Sequence, residues 1–474
     1  MDQQLKPKYG LITAIAMIVG IVIGSGVFFK AEMVLNIMGG NLPLGILAWV
    51  VGGAIMIIFG YTFSILATRH AGVGGIVDYA EALVGKPYAY VLGWFTTFIY
   101  YPAMTGVLSW VTARYFGALI GWSLNSVDVM LLSCGFMILS YAVNTLSPII
   151  AGKVQVSTTV IKLIPLFLMA IVGTVVGLLN GTTVENFTNI PEIGPEGGLL
   201  KAFFGAIVAA AFAYEGWIIA ISINAEIKNP KKNLPRALVL GTLIIAATYI
   251  FYYVGLAGSV KNEVLMASGE QGVKTAFEGI FGKVGGIGLQ VLIVISCFGT
   301  LNGLMLASVR APYSIAVRSH GPKPETFAEV DAKTNMPANS GILGLLFCAF
   351  WFFYFYAANL TAPVFGLFSF DSSELPIITI YGMYIPIFFM FMVKEGKKNV
   401  FKNIVMPLIG VIACAFMMFV AVYAHGIRPY QAAAEKGEFS FPVLFYLIVY
   451  VVIMAVGLFL YKKNGAKANA EKSK

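Results

Sequence analysis

Gly20-Ile21-Val22-Ile23-Gly24-Ser25-Gly26-Val27-Phe28-Phe29 lies midway along an apolar run from about Tyr9 to Phe29. Such a run is long enough to cross a hydrocarbon core of roughly 30 Å. Within it, Gly24-Ser25-Gly26 is a poor helix former, each glycine costing about 1 kcal/mol against alanine. Backbone released from helical bonds is tolerated in lipid only where protein or a water-filled cavity receives it. A break here therefore offers N–H and C=O groups to a ligand. A plainer reading is close helix packing, since Gly20 and Gly24 also spell GxxxG. This segment alone supports both.

The rest of the chain resembles its first run. Of 474 residues, 59% are hydrophobic and only 11% charged, against about a quarter charged in a soluble domain. The apolar runs are continuous over helix-spanning lengths, which excludes the short alternating strands of an outer-membrane barrel. Met1 to Lys8 is polar and the run that follows is too long for a signal peptide, so it is expected to act as the first span. Twelve spans are predicted, near 9–37, 41–68, 88–119, 126–146, 153–179, 199–224, 235–259, 284–317, 340–358, 364–393, 401–424 and 441–461. The fold class is thus an all-α polytopic membrane protein.

The formal net charge of +9 follows topology. With the N-terminus inside, most Lys and Arg fall on the cytoplasmic side, as the positive-inside rule requires. Both termini are then cytoplasmic, in a cell membrane, and no nucleic-acid partner is implied; membrane lipids are. Cys134, Cys297, Cys348 and Cys414 lie in apolar spans without paired spacing and read as packing residues. His70, His320 and His425 are scattered at loops or span ends. No metalloprotease helix, nucleotide loop or Ser/His/Asp set is visible, so neither enzyme, cofactor nor metal is expected.

Three interior features stand out. The third span holds Tyr100, Tyr101 and Pro102, a kink that suits a cavity wall, although single tyrosines are more often packing. The fifth span carries Lys162 alone among apolar residues, about nine residues beyond Lys153, or roughly 13 Å along a helix. A central lysine costs about 2.5–3.5 kcal/mol on insertion scales, so it is expected to face the bundle interior and meet the carbonyls freed at Gly24–Gly26; a plainer reading has it bond stray helix-end carbonyls and only hold the bundle together. The sixth span contains Ala210-Ala211-Phe212-Ala213-Tyr214-Glu215-Gly216-Trp217, an acid and a glycine amid a hydrophobic run. Spans one and six open two five-span halves. Interruptions at matching positions of two halves point to a transporter site, which favours the ligand reading of Gly24–Gly26.

After the sixth span comes Glu226-Ile227-Lys228-Asn229-Pro230-Lys231-Lys232-Asn233-Leu234-Pro235-Arg236-Ala237, a basic turn bracketed by prolines. Phe212–Trp217 followed by this turn resembles the L-amino acid transporter family of the amino acid–polyamine–organocation superfamily. Gly20–Phe29 resembles that family's first-helix motif. Ser296-Cys297-Phe298-Gly299-Thr300-Leu301-Asn302-Gly303 resembles its eighth-helix motif. The resemblance covers nearly the whole chain and weakens after about Asn359. It implies a LeuT-like 5+5 inverted repeat with helices 1 and 6 broken: 1–190 as the first repeat, 191–398 as the second, 399–462 as helices 11 and 12, and 463–474 as a cytoplasmic tail.

Carried over by matching residues, the resemblance places a substrate carboxylate at the backbone N–H groups of Ser25 and Gly26, next to Gly24. The helix dipole agrees with this placement. It places the substrate ammonium at carbonyls near Val22 and at Phe212 and Ala213. Phe212 would be an aromatic gate, Lys162 a tethered cation in the space sodium fills in coupled relatives, and Tyr249 a bridge from that lysine to the first break. Glu215 and the adjoining Gly216 join the site. Several relatives have glycine where Glu215 stands, so Glu215 reads either as a hydrogen bond across the break or as an acid for cationic substrates.

Animal members carry a cysteine between spans three and four for a disulfide to a heavy subunit. Gly117–Ser126 has none, so no such partner is expected. The function implied is sodium-independent exchange of small neutral L-amino acids. Proton-coupled symport and cationic amino acid or polyamine transport are the near alternatives. A channel or receptor is disfavoured, because no charge ring, filter loop or signalling domain is present.

Overall fold

The computed structural model describes residues 7, 9–24, 26–69, 74–123, 126–189, 198–219, 221, 227–268, 272–319, 321–358 and 364–472. Among these the regular structure is helical, apart from one isolated bridge between Tyr9 and Ile227. Eleven helices are long and apolar enough to cross a membrane, and a bent pair supplies a twelfth span. The chain is a multi-pass membrane protein. The bent pair is the first span, Leu11–Val22 and Gly26–Ile37, at 51° to one another.

Spans two to five are Leu42–Arg69, Lys86–Leu119, Val127–Leu146 and Ile149–Asn180. Spans six to ten are Leu199–Ile219, Pro230–Ser259, Gly272–Ala316, Ala338–Ala358 and Leu375–Lys398. Phe401–Ala434 and Pro442–Lys463 complete the set.

The eighth keeps its expected start near 284, although regular helix precedes it. Helix begins at Gly272, but Gly282, with φ of 71°, interrupts it, so the membrane helix proper follows that glycine. The connection after the second span contains the amphipathic helix Ile76–Leu83, with Val77, Tyr79, Ala80 and Leu83 buried. Arg318, just past the eighth span, pairs with Asp78 and, at 2.9 Å, with Glu81 on that helix.

Pro102 has a specific consequence for the third span. Proline has no N–H, so the carbonyl four residues earlier loses its helical donor. That carbonyl, Phe98 O, instead accepts the Trp351 indole N–H of the ninth span at 2.6 Å. The preceding turn, Thr96–Tyr100, widens into a π-helix. Such bulges accompany functional sites, and this one swings Tyr100 towards the bundle centre.

Glycines of the second span seat aromatic rings of its neighbours. A Cβ on Gly45 would lie 2.4 Å from the Tyr253 hydroxyl, and one on Gly52 lies 3.1 Å from the Tyr214 ring. Trp49, between them, packs against Tyr214, Tyr249 and Tyr253 with centroids 5.6, 5.6 and 6.0 Å away. Each aromatic pair adds about 0.5–1.5 kcal/mol beyond its burial. This cluster fixes Tyr214 and Tyr249 beside the two interrupted helices.

Candidate functional site

A helix leaves its last four carbonyls without intrahelical donors. In the half-helix Leu11–Val22 the last such bond is Ile23 N–H to Val19 O, at 2.9 Å. The carbonyls beyond it are received by side chains from three other spans. Lys162 Nζ, fully buried, donates to Gly20 O at 2.7 Å and to Ile23 O at 2.5 Å. Thr300 of the eighth span donates to the same pair at 3.3 and 3.1 Å. Lys162 Nζ also lies 3.2 Å from Thr300 Oγ1. The ammonium thus sits at the negative end of the helix dipole, where a cation is favoured. Gly299 makes room for it: an added Cβ would stand 3.3 Å from Lys162 Nζ and 2.4 Å from Thr158 Oγ1.

Tyr249 does something different from the bridge the sequence suggested. Its hydroxyl lies 3.1 Å from Val22 O and 3.0 Å from Ala213 O, spanning the first break and the sixth. Lys162 reaches the first break directly. The carbonyls it takes are Gly20 and Ile23, the end of the first half-helix, whereas those of Gly24–Gly26 were expected; Gly26 already belongs to the next helix.

The helix Leu199–Ala213 ends in a tight turn. Tyr214 N–H donates back to Ala210 and Ala211, and Glu215 N–H to Phe212 O at 3.2 Å. Gly216 follows with φ of 107°, in the region that favours glycine, and a Cβ there would meet Ile21 at 3.1 Å. Gly26 makes the reciprocal contact, since a Cβ on it would lie 3.1 Å from Ala213 Cα. The breaks therefore interlock, glycine against neighbour, in both directions. Glu215 is 5% exposed. One of its oxygens accepts from the Tyr100 hydroxyl and the other from Tyr381 of the tenth span, at 2.7 Å.

Between the breaks lies a cavity of about 40 Å³, room for about three water molecules. Of the residues expected from sequence, Val22, Gly24, Gly26, Phe212, Ala213, Glu215 and Gly216 line it together. Lys162 and Tyr249 are outside that lining; Tyr249 bonds two of its carbonyls, Val22 O and Ala213 O, and Lys162 bonds Gly20 O and Ile23 O beside it. Ser25 lies outside the described residues. No acid occupies the first turn of Gly26–Ile37, so the helix supplies no carboxylate of its own to its N-terminal N–H groups.

Phe212 and Leu108 separate this cavity from a second of about 290 Å³, which they also line. Lys30, on the wall of the larger space, stands 4.7 Å from the centroid of the Phe212 ring. It pairs with Glu374 at 2.8 Å, whose other oxygen lies 2.7 Å from His425 Nε2.

Sequence reasoning missed Tyr381, Lys30 and Glu374. Thr300 lay inside the quoted eighth-helix motif without an assigned role. Tyr100 was marked only as a possible wall. Pro102 beside it was the usable signal.

Two helices interrupted at matching places, with peptide dipoles converging on a small cavity inside a membrane bundle, define a secondary transporter of the broken-helix type. The chain belongs to the amino acid permease family, whose model matches residues 9–454. It is a transporter and not an enzyme. It is 30% identical over 425 residues to the serine/threonine exchanger SteT of Bacillus subtilis (strain 168), covering 88% of this chain and 91% of that one. It is 26% identical over 337 residues to the human cystine/glutamate transporter, covering 71% of this chain and 66% of that one. The Asc-type amino acid transporter 1 of Mus musculus is 29% identical over 345 residues, 70% of this chain and 63% of its own. Among solved structures, MhsT in complex with L-phenylalanine superposes with a TM-score of 0.57 at 16% identity, covering 86% of this chain and 98% of that one. The fold is LeuT-like.

Proposed function

We propose that this transporter exchanges small neutral L-amino acids across the cell membrane without sodium. The observation that carries the reading is Lys162, an ammonium tethered to the fifth span and bonded to the carbonyls that end the first half-helix. A fixed cation there braces the break in every cycle and is not itself transported. The substrate carboxylate would meet the N–H groups from Ser25 and Gly26 onward, where the half-helix dipole favours an anion. Its ammonium would meet Val22 O and Ala213 O, each of which keeps a second lone pair beside the Tyr249 hydroxyl.

Phe212, between the two cavities, would act as the gate. Residues 1–190 and 191–398 would be the two inverted repeats and 399–462 two further helices. The distribution of Lys and Arg supports cytoplasmic termini. The cysteine-free connection Gly117–Ser126 supports function without a disulfide-linked partner.

The test is uptake of labelled L-serine, L-threonine and L-alanine by proteoliposomes, loaded with amino acid or empty, in sodium or in choline. Exchange requires that loaded vesicles take up label, that empty ones do not, and that choline changes nothing. Uptake by empty vesicles driven by an inward proton gradient would make it a symporter instead.

A further inference from the structure

Glu215 brings an acid into the lining of an otherwise largely apolar cavity, and the transport reading leaves it without work. Resting on that reading, we propose that Glu215 selects the substrate's side chain by presenting a fixed hydrogen-bond acceptor, so that short side chains bearing a hydroxyl are preferred. A carboxylate offers about four lone-pair positions. The Tyr100 hydroxyl and the Tyr381 hydroxyl occupy two of them, one on each oxygen. These donors come from the third and tenth spans, and together they hold the carboxylate's orientation.

Each oxygen keeps an acceptor position, on a group that lines the cavity. The substrate's own backbone groups are matched by peptide dipoles at Gly26, Val22 and Ala213. What is left for Glu215, with Tyr100 and the apolar Ile219 and Leu304 around it, is the side chain. A hydrogen bond to a charged acceptor discriminates strongly, because an analogue lacking the donor leaves a buried polar group unmatched.

The experiment uses the full chain in proteoliposomes and two comparisons that each remove only the hydroxyl, L-serine against L-alanine and L-threonine against L-2-aminobutyrate, read as ratios of kcat/KM. The unmodified protein should favour each hydroxyl member by about tenfold to a hundredfold. Glu215→Gln should reduce both ratios about tenfold, a readout from which any loss of rate common to both members cancels. Glu215→Gly should erase them and admit larger neutral side chains such as L-leucine. Tyr100→Phe and Tyr381→Phe, which loosen the acceptor, should lower the ratios part of the way, and Glu215→Asp should retain a preference.

Ratios near one in the unmodified protein would overturn the proposal without any variant. So would Glu215→Gln lowering L-serine and L-alanine exchange alike, the result expected if Glu215 bound the substrate ammonium or only stapled the helices. Failure of the unmodified protein to exchange any amino acid would overturn the transport reading itself, a distinguishable result.

Discussion

At the first break, the carbonyl end of Leu11–Val22 is met by charge: the Lys162 ammonium, supported by Thr300. At the sixth, the carbonyl end of Leu199–Ala213 is met by its own turn and by the neutral hydroxyl of Tyr249. Charge enters there as an acid, which tyrosines satisfy. The two halves thus place interruptions at equivalent positions and solve the same problem with opposite means. Inside a membrane every freed backbone group needs a partner, but its chemistry is open. A cation from the scaffold binds its carbonyls strongly and holds one geometry. Hydroxyls hold more weakly, which suits a helix whose next residues must meet varying substrate. Tyr249 is the one described side chain bonded to carbonyls of both breaks.

Four changes break or sharpen this contrast. The largest effect should come from Gly26→Leu, because even a Cβ at this position stands 3.1 Å from Ala213 Cα. Uptake should vanish with expression and membrane insertion intact. Transport with unchanged apparent affinity would reduce the break to a packing device. Amides and decarboxylated amines should also compete poorly with substrate, since they lack the anion.

Lys162→Ala comes next. Gly20 O and Ile23 O would keep only Thr300, and hydrogen bonds to a charged group are worth about 1.5–3 kcal/mol each. Exchange should fall by about tenfold to a hundredfold, while insertion is unharmed, because the lone cation costs about 2.5–3.5 kcal/mol on insertion scales. Full activity in this variant, or strong sodium dependence in the unmodified carrier, would remove the tethered cation from the mechanism.

Phe212→Ala opens the partition between the two cavities and takes the ring away from Lys30. A severalfold slower exchange with looser side-chain selection is expected, measured as initial rates across a substrate panel. Normal rate and selectivity would assign Phe212 to packing alone.

The smallest change is Tyr249→Phe, which removes one hydroxyl shared by two carbonyls. Neutral hydrogen bonds contribute about 1 kcal/mol, so apparent affinity should weaken by about fivefold. An effect equal to that of Lys162→Ala would erase the distinction between a charged and a neutral break.

Much of this arrangement is legible in the residues themselves. The spans follow from hydropathy, and the breaks from glycine where a helix should continue. Lys162 is conspicuous because an isolated charge in an apolar run needs a partner; carbonyls of Gly24–Gly26 were expected, and those of Gly20 and Ile23 are the ones it meets. Their identity was not legible. Gly20 and Ile23 lie 142 and 139 residues from Lys162 along the chain, and a shift of one helical turn would bring other carbonyls within reach. Lys30 and Glu374 were hidden because one directly follows the apolar run that ends at Phe29 and the other caps the tenth helix, places where single charges are ordinary.

The sequence by itself determined that this chain is a twelve-span helical membrane protein whose first and sixth spans are interrupted. Those properties depend on some twenty consecutive residues at a time, and hydrophobic length and helix propensity are local quantities. Only the tertiary structure decided what each break is bonded to: Lys162 and Thr300 on the first, Tyr249 across both, and Tyr100 and Tyr381 on Glu215, 115 and 166 residues away. Such partners are chosen by how packed spans rotate against one another. That rotation is set by glycine contacts and aromatic clusters between distant segments, which no single span contains.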